Sequence, residues 1–508
     1  MSWFPRITPG FPQYTGPYSV GSADFEIPVS SLDSPASSPD SSISTVAFRI
    51  FYPCEASARE KAVKWLTYPH RGYVQAYARF LGAHNLFAQL FSYFPHLLYY
   101  ATIPVKANAE SLQANTESQR WPVVIFSHGL GGSRNAYSHI CGTLASHGIV
   151  VIAPEHRDGS APVTYIKSPS SGKVRPLYYR RASHTPSPEV YEHRDNQLKI
   201  RLWELGLIHD AILKLDEGSL YIPANTKITK RESGELNDVV NQLQGQLDVH
   251  TPGSIVMAGH SFGAATMVQF TKSVYYNDQS DDPSYQPLYT PSTSSSITRQ
   301  ITPATTVLLL DMFCLPLRSP STEWLWSQPM PCYAPSGSGG DALLAVLSET
   351  FSKWKGNLSD MKLALSEDPT GANLSRTKAA PTFFYPTASA HLSQSDFGIL
   401  FPRVTRVAFK SEEPERCLKL NARAMLQKMR ENGFEVASTA QIDAEEEDKS
   451  FPVDTPFNTR EDWRILATNG GIKGWIPINI DDGTESEISE GKEDIILLLP
   501  RTRIEQNS

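Results

Sequence analysis

Five short apolar runs punctuate the chain, at residues 121–126 (WPVVIF), 148–154 (GIVVIAP), 255–258 (IVMA), 304–310 (ATTVLLL) and 381–385 (PTFFY). Each is too short for a helix, and most are rich in β-branched or aromatic residues. Such runs predict strands buried on both faces. Between them lie segments with apolar positions at helical spacing. Residues 137–147 form one, and 198–215 another, with Leu202, Leu205, Ile208, Ile212 and Leu215 on one stripe. Residues 342–354 and 417–432 also predict helices. Two further strands are expected near the start, at 24–29 and 45–52. Strands alternating with helices imply an α/β fold: a mostly parallel, doubly wound sheet with helices on both faces. In such a sheet, functional loops lie at the carboxyl ends of the strands.

Polar stretches interrupt this pattern. Residues 1–13 read as a flexible lead, 14–480 as one domain and 481–508 as a tail. Long insertions are expected at about 30–44, 160–194, 277–300 and 320–375. The first is Ser/Pro/Asp-rich and predicts a mobile hairpin insertion, and the third predicts a disordered loop. Residues 444–449 (AEEEDK) predict a mobile acidic break. From Leu81 to Tyr100 an apolar stripe runs through Ala83, Leu86, Phe87, Leu90, Phe91, Phe94, Leu97 and Leu98, interrupted at Pro95. Two readings stand for it: a helix packed in the core, or a helix resting on a lipid surface.

The chemistry concentrates at residues 254–270 (SIVMAGHSFGAATMVQF). A strand runs into Gly259-His260-Ser261-Phe262-Gly263, and small residues then open a helix. A serine in such a turn has strained backbone geometry and a hydroxyl raised above the sheet edge. A Cβ at Gly259 or Gly263 would collide with the neighbouring strand or helix. Serine alone is a poor nucleophile and needs a base, which in turn needs a partner to hold its tautomer. The expected chain order is nucleophile, acid, histidine. Downstream of Ser261, Asp311 is the carboxylate that ends a clear buried-type strand, and Asp396 is its rival. Downstream of Asp311, His391 is the only histidine. The backbone N–H groups of Leu130, in the glycine turn 127–132, and of Phe262 would stabilise an oxyanion. His128, His156 and His260 read as residues that orient loops. Nothing in this chemistry calls for a metal or organic cofactor.

Composition narrows the partners. A net charge of −7 gives nucleic-acid binding no electrostatic support. The five cysteines, at 54, 141, 314, 332 and 417, have no metal-ligand spacing, and their odd, low count mildly favours a reducing compartment. The first twenty residues lack the charged and apolar regions of a secretory signal. No run of eighteen apolar residues predicts a spanning helix. The expected location is cytoplasmic, with peripheral contact at membranes.

Several of these strings together resemble the platelet-activating factor acetylhydrolase family, the calcium-independent serine phospholipase A2 type with an α/β-hydrolase fold. They are residues 16–21 (GPYSVG), 126–131 (FSHGLG), 144–148 (LASHG), 155–158 (EHRD) and 259–266 (GHSFGAAT), with Leu310-Asp311 and Pro316-Leu317. The family tends to have Trp where this chain has Phe313. The resemblance implies Ser261 as nucleophile, Asp311 as acid, His391 as base, and Leu130 and Phe262 as oxyanion donors. It implies phospholipid substrates with a short or oxidised sn-2 acyl chain, cleaved to a lysophospholipid and a short acid. It also strengthens the lipid-surface reading of 81–100. Two alternatives stand beside it: an esterase or lipase on other small esters, and a catalytically silent, lipid-binding hydrolase-like protein.

Overall fold

The computed structural model describes residues 10–437 and 475–481, apart from 57–61, 85–87, 91, 94–96, 169–170, 221–229 and 373–375. Thirteen strands are present among these: β1 (Ser19–Pro28), β2 (Thr45–Cys54), β3 (Ala62–Lys64), β4 (Thr102–Ala107), β5 (Val123–Ser127), β6 (Val150–Pro154), β7 (Val163–Lys167), β8 (Val174–Tyr178), β9 (Ile255–His260), β10 (Val307–Leu310), β11 (Leu343–Val346), β12 (Thr382–Pro386) and β13 (Trp475–Pro477). Eleven form one sheet in the order β13-β12-β11-β10-β9-β5-β6-β2-β1-β4-β3. The six neighbours from β12 to β6 are parallel throughout. β2 joins β6 antiparallel, and β13 closes the other edge antiparallel to β12. This is an α/β-hydrolase fold.

Alternation of side chains explains the apolar runs. Val123, Ile125, Ile255, Met257, Val307 and Leu309 enter one core, with the helices Pro188–Asp216 and Phe262–Tyr275. Val124, Phe126, Val256, Ala258, Leu308 and Leu310 enter the other, with Ser138–Ser146 and Pro414–Glu431. Both faces are covered, so the central strands are apolar up to the polar residues Ser127 and His260 at the carboxyl ends of β5 and β9, as a parallel sheet requires. Burying each Leu, Ile or Val contributes about 1.5–3 kcal/mol.

The connectivity sets the site. From β5 the chain moves outward to β6, then returns to place β9 on the other side of β5. The strand order reverses between β5 and β9, and the loops leaving their carboxyl ends flank that crevice. A ligand site is expected there in an open α/β sheet.

Several expectations need correction. Residues 342–354 are not one helix. Leu343–Val346 is strand β11, buried between β10 and β12, and only Glu349–Ser352 is helical. Ala and Leu favour helix intrinsically, but burial on both faces of the sheet overrides that preference. The helix expected from 198 begins at Pro188, capped by Ser187, whose hydroxyl accepts from Val190 N–H. Its first turns are polar and so carry no apolar stripe. Residues 277–300 are ordered: Leu288, Tyr289 and Ile297 are buried, and Tyr289 packs on Phe270. Residues 30–44 are anchored by buried Leu32 and Ile43, and Asp33 N–H donates to Asp210 Oδ2 at 2.8 Å. The 160–194 connection contains the antiparallel hairpin β7–β8. From Leu81 to Tyr100 the described residues form a helical turn at 88–90 and a 3-10 turn at Leu97–Tyr99. Of the stripe residues, Leu90 is exposed and Leu98 packs half-buried against the second core, while Leu86, Phe87, Phe91 and Phe94 lie outside the described residues. The acidic stretch 444–449 lies outside the described residues.

Candidate active site

Ser261 occupies the turn between β9 and the helix Phe262–Tyr275 with φ 56° and ψ −118°. An L-residue held there is strained, and such strain collects at functional sites. Two backbone bonds fix the turn to the end of β10. Ser261 N–H donates to Leu310 O at 2.8 Å, and Phe313 N–H donates to Ser261 O at 3.2 Å.

The flanking glycines have the predicted steric cause. A Cβ on Gly259 would stand 2.5 Å from the Gly263 carbonyl carbon. One on Gly263 would stand 2.0 Å from the Ser127 carbonyl oxygen, at the end of β5. Neither neighbour is a flexible side-chain tip. Gly263→Ala is therefore expected to destabilise the fold by about 3 kcal/mol or more, since backbone must shift. Urea unfolding checks this; an unchanged midpoint would contradict the packing.

The glycine turn after β5 lies directly against the serine. A Cβ on Gly129 would be 2.9 Å from Ser261 Cβ. Tyr137 links the two loops: Gly129 N–H donates to its hydroxyl at 3.2 Å, and the hydroxyl bonds His260 Nδ1 at 2.7 Å. Gly131 N–H donates to Ser160 O at 2.8 Å. Leu130 is half-buried beside these bonds. Phe262 is the first residue of its helix, so its N–H has no acceptor in the preceding turn.

A buried ion pair braces this turn from below. Arg201 Nη1 donates to His128 O at 2.8 Å, Nη2 to Ser160 Oγ at 2.6 Å, and Nε to Asp158 Oδ2 at 2.6 Å. Its guanidinium lies 4.4 Å from the Phe262 ring centroid. One side chain thus touches both loops that would supply oxyanion donors. Burial opposes the charge of Asp158, but Arg201 and Ser160 outweigh it and hold the carboxyl below its usual range.

Asp311 follows β10 with φ 42° and no exposure. Ser348, just past β11, donates twice: its N–H to Oδ1 at 2.5 Å and its hydroxyl to Oδ2 at 2.7 Å. The remaining partner of Oδ2 is His391 Nδ1, at 2.9 Å. The His391 ring stacks on Phe351 at 4.8 Å and 14°. Its other neighbour is His260, beside Ser261, at 4.4 Å between centroids. Ser261 and the His391 side chain retain 7% and 11% exposure, while Asp311 has none. The three residues separated by 50 and 80 positions therefore converge at one sheet edge.

The rival carboxylate does other work. Asp396 opens the short helix Asp396–Leu400, is fully buried, and accepts from Ser138 N–H, Ser138 Oγ, His139 N–H and Trp65 Nε1. It anchors the start of the helix Ser138–Ser146. Burial pushes its carboxyl up to about 6 against the pull of those donors.

The other histidines hold loops. His128 Nδ1 bonds Gly129 O, and His156 bridges Ser127 Oγ and Glu204. Burial pushes His128 down to about 3 and holds His156 and His260 well below the ordinary range, so all three are neutral. His260, Asp311 and His391 bring ligand-capable atoms within 4.8 Å of one another. The Asp311 oxygens are engaged by Ser348 and His391, which suits a proton-relaying group. Sequence reasoning missed Ser348, Arg201 and Tyr137. No periodicity in the sequence marked Arg201 or Tyr137, and nothing local marked Ser348.

Comparison with known proteins adds the following. Residues 7–330 match a family described as platelet-activating factor acetylhydrolase, isoform II. That stretch includes Leu130, Ser261, Phe262 and Asp311 and stops before His391. A Schizosaccharomyces pombe protein described as a putative phospholipase A2 is 28% identical over 449 residues, 84% of this chain and 92% of that protein. The platelet-activating factor acetylhydrolases of Cavia porcellus and Bos taurus are 33% and 31% identical over 262 residues, 51% of this chain and 51% of each of them. The chain thus spans about half the length of these two. Among solved structures, a ferulic acid esterase from Streptomyces cinnamoneus is similar with a TM-score of 0.43 at 14% identity, covering 84% of this chain and 93% of that one.

Proposed function

This chain belongs to the platelet-activating factor acetylhydrolase isoform II family, and from that premise we propose that it is a carboxylic ester hydrolase cleaving the sn-2 ester of phospholipids with short or oxidised acyl chains. The observation that carries the reading is the 2.9 Å bond between Asp311 and His391, set beside a serine in a strained strand-to-helix turn.

In this reading Ser261 Oγ attacks the ester carbonyl while His391 Nε2 takes its proton. Asp311 holds the Nδ1 proton in place and stabilises the imidazolium that forms. Two donated bonds from Ser348 keep that carboxylate oriented. The carbonyl oxygen becomes an oxyanion, met by the N–H groups of Phe262 and Leu130. His391 then returns the proton to the departing glycerol oxygen as the carbonyl–oxygen bond breaks. Water attacks the acyl-enzyme by the same route and releases the short acid. Only water is consumed.

Contact with a lipid surface belongs to the same proposal. Leu81, Leu90, Tyr93 and Tyr100 expose apolar side chains on the segment singled out in the sequence. Among the described residues, no helix is long and apolar enough to cross a membrane.

The test is acid release from phosphatidylcholines that differ only in sn-2 length. An acetyl or butyryl chain is expected to be cleaved at least about 100-fold faster, as kcat/KM, than a palmitoyl chain, a difference of about 2.7 kcal/mol in transition-state binding. Equal rates, or cleavage of soluble esters only, would contradict the substrate class.

A further inference from the structure

The helix Pro188–Asp216 places Val190, Arg194, Gln197 and Arg201 on one stripe, at spacings of four, three and four. The ends of the stripe are tied to the site. Val190 packs with Phe313 and Leu315, just past Asp311, with Leu130 against the same group. Arg201 braces the glycine turn. Arg194 lies between them, its guanidinium 5.7 Å from the Phe262 ring centroid.

Arg194 differs from other buried arginines of the fold. Its exposure is zero. Arg49 pairs with Asp24, Arg157 with Glu26 and Arg201 with Asp158. Among the described residues, no carboxylate pairs with Arg194. Nη1 donates to Gln197 Oε1 at 2.7 Å, while Nε and Nη2 are buried without an acceptor in bonding geometry. The polar group facing them is the Tyr179 phenol, a neutral partner; Arg201 adds like charge, burial pushes His184 down to about 4 and so keeps it neutral, and the charge of Asp158 is engaged by Arg201. A buried cation without a counter-charge costs several kcal/mol. Such a group in a native fold asks for a partner that arrives from outside.

We propose that Arg194 reads the anionic phosphodiester of the substrate headgroup and is a specificity-determining residue for it. This rests on the phospholipid reading above. The Nε/Nη2 edge of a guanidinium is a planar fork that matches two phosphate oxygens. Its place beside Phe262 fits the substrate, because the phosphate lies a few covalent bonds from the sn-2 carbonyl. The coil 179–187 over it carries no helix or strand, so a headgroup has no regular element to displace.

The experiment compares the full-length protein with Arg194→Gln and Arg194→Lys on two substrates: a short-acyl phosphatidylcholine below its micellar concentration, and p-nitrophenyl butyrate, which has no phosphate. R194Q is expected to lower kcat/KM for the phosphatidylcholine about 10- to 100-fold, mainly through KM, with the p-nitrophenyl ester within about threefold of wild type. R194K, with a point charge but no fork, should fall between; should R194Q not fold, wild-type selectivity in R194K would overturn the proposal. Equal losses on both substrates would make Arg194 merely structural and overturn it. So would unchanged phosphatidylcholine kinetics in R194Q. Inorganic phosphate at millimolar concentration should leave wild-type turnover of the p-nitrophenyl ester unchanged; inhibition that R194Q abolishes would assign the site to free phosphate instead. A wild-type protein that cleaves p-nitrophenyl butyrate but no phospholipid would overturn the phospholipid reading itself, a result distinct from these.

Discussion

Replacing Ser261 by Ala lowers kcat on a short-acyl phosphatidylcholine by about a million-fold, and replacing His391 by Ala lowers it by about as much. The double variant is no slower than either single one, because the two groups act in one step. Without Oγ no acyl-enzyme forms. Without the imidazole, the hydroxyl keeps its proton at neutral pH. What remains comes from the oxyanion donors and substrate binding. Ser261→Ala removes one oxygen at a turn held by backbone bonds to Leu310 and Phe313, so the fold should keep its stability. His391→Ala leaves space against Phe351, so His391→Gln serves as the fuller-sized control. Steady-state kinetics with circular dichroism on each variant checks the prediction. Loss of only tenfold in Ser261→Ala would mean another nucleophile.

Asp311→Asn should cost about ten-thousand-fold in kcat, through the tautomer of His391 rather than through folding. The Ser348 N–H donates to Oδ1, so the amide oxygen of Asn settles there and the NH2 turns toward His391 Nδ1. Nδ1 must then accept, its proton moves to Nε2, and the ring can no longer take the proton of Ser261. The NH2 also faces the Ser348 hydroxyl, which can rotate to accept. The variant should therefore fold, and a ¹⁵N spectrum of labelled histidine would show the exchanged tautomer. Near-wild-type kcat in Asp311→Asn would remove Asp311 from the mechanism.

The turn at Ser261 was readable because its constraints are local: two glycines, a buried strand before them and small residues after. The parallel character of the sheet was readable because strands covered on both faces are largely apolar. His391 was reached by elimination, since no other histidine follows Asp311. Ser348 was hidden because the strand before it, Leu343–Val346, has helix-favouring residues and becomes a strand only through its neighbours β10 and β12. Arg201 and Tyr137 were hidden for a different reason. Each acts across more than sixty residues of chain, on His128 and His260, and no periodicity marks such a contact. Residues 277–300 misled through composition: a Ser/Thr/Pro-rich loop can still be ordered when Leu288, Tyr289 and Ile297 reach the core.

The most direct measurement is peptide mass spectrometry of the protein inactivated by a fluorophosphonate. The account predicts one adduct, on the peptide carrying Ser261, formed with loss of all phospholipase activity and slowed by Asp311→Asn. An adduct on a different residue, or full inactivation with Ser261 unmodified, would contradict it.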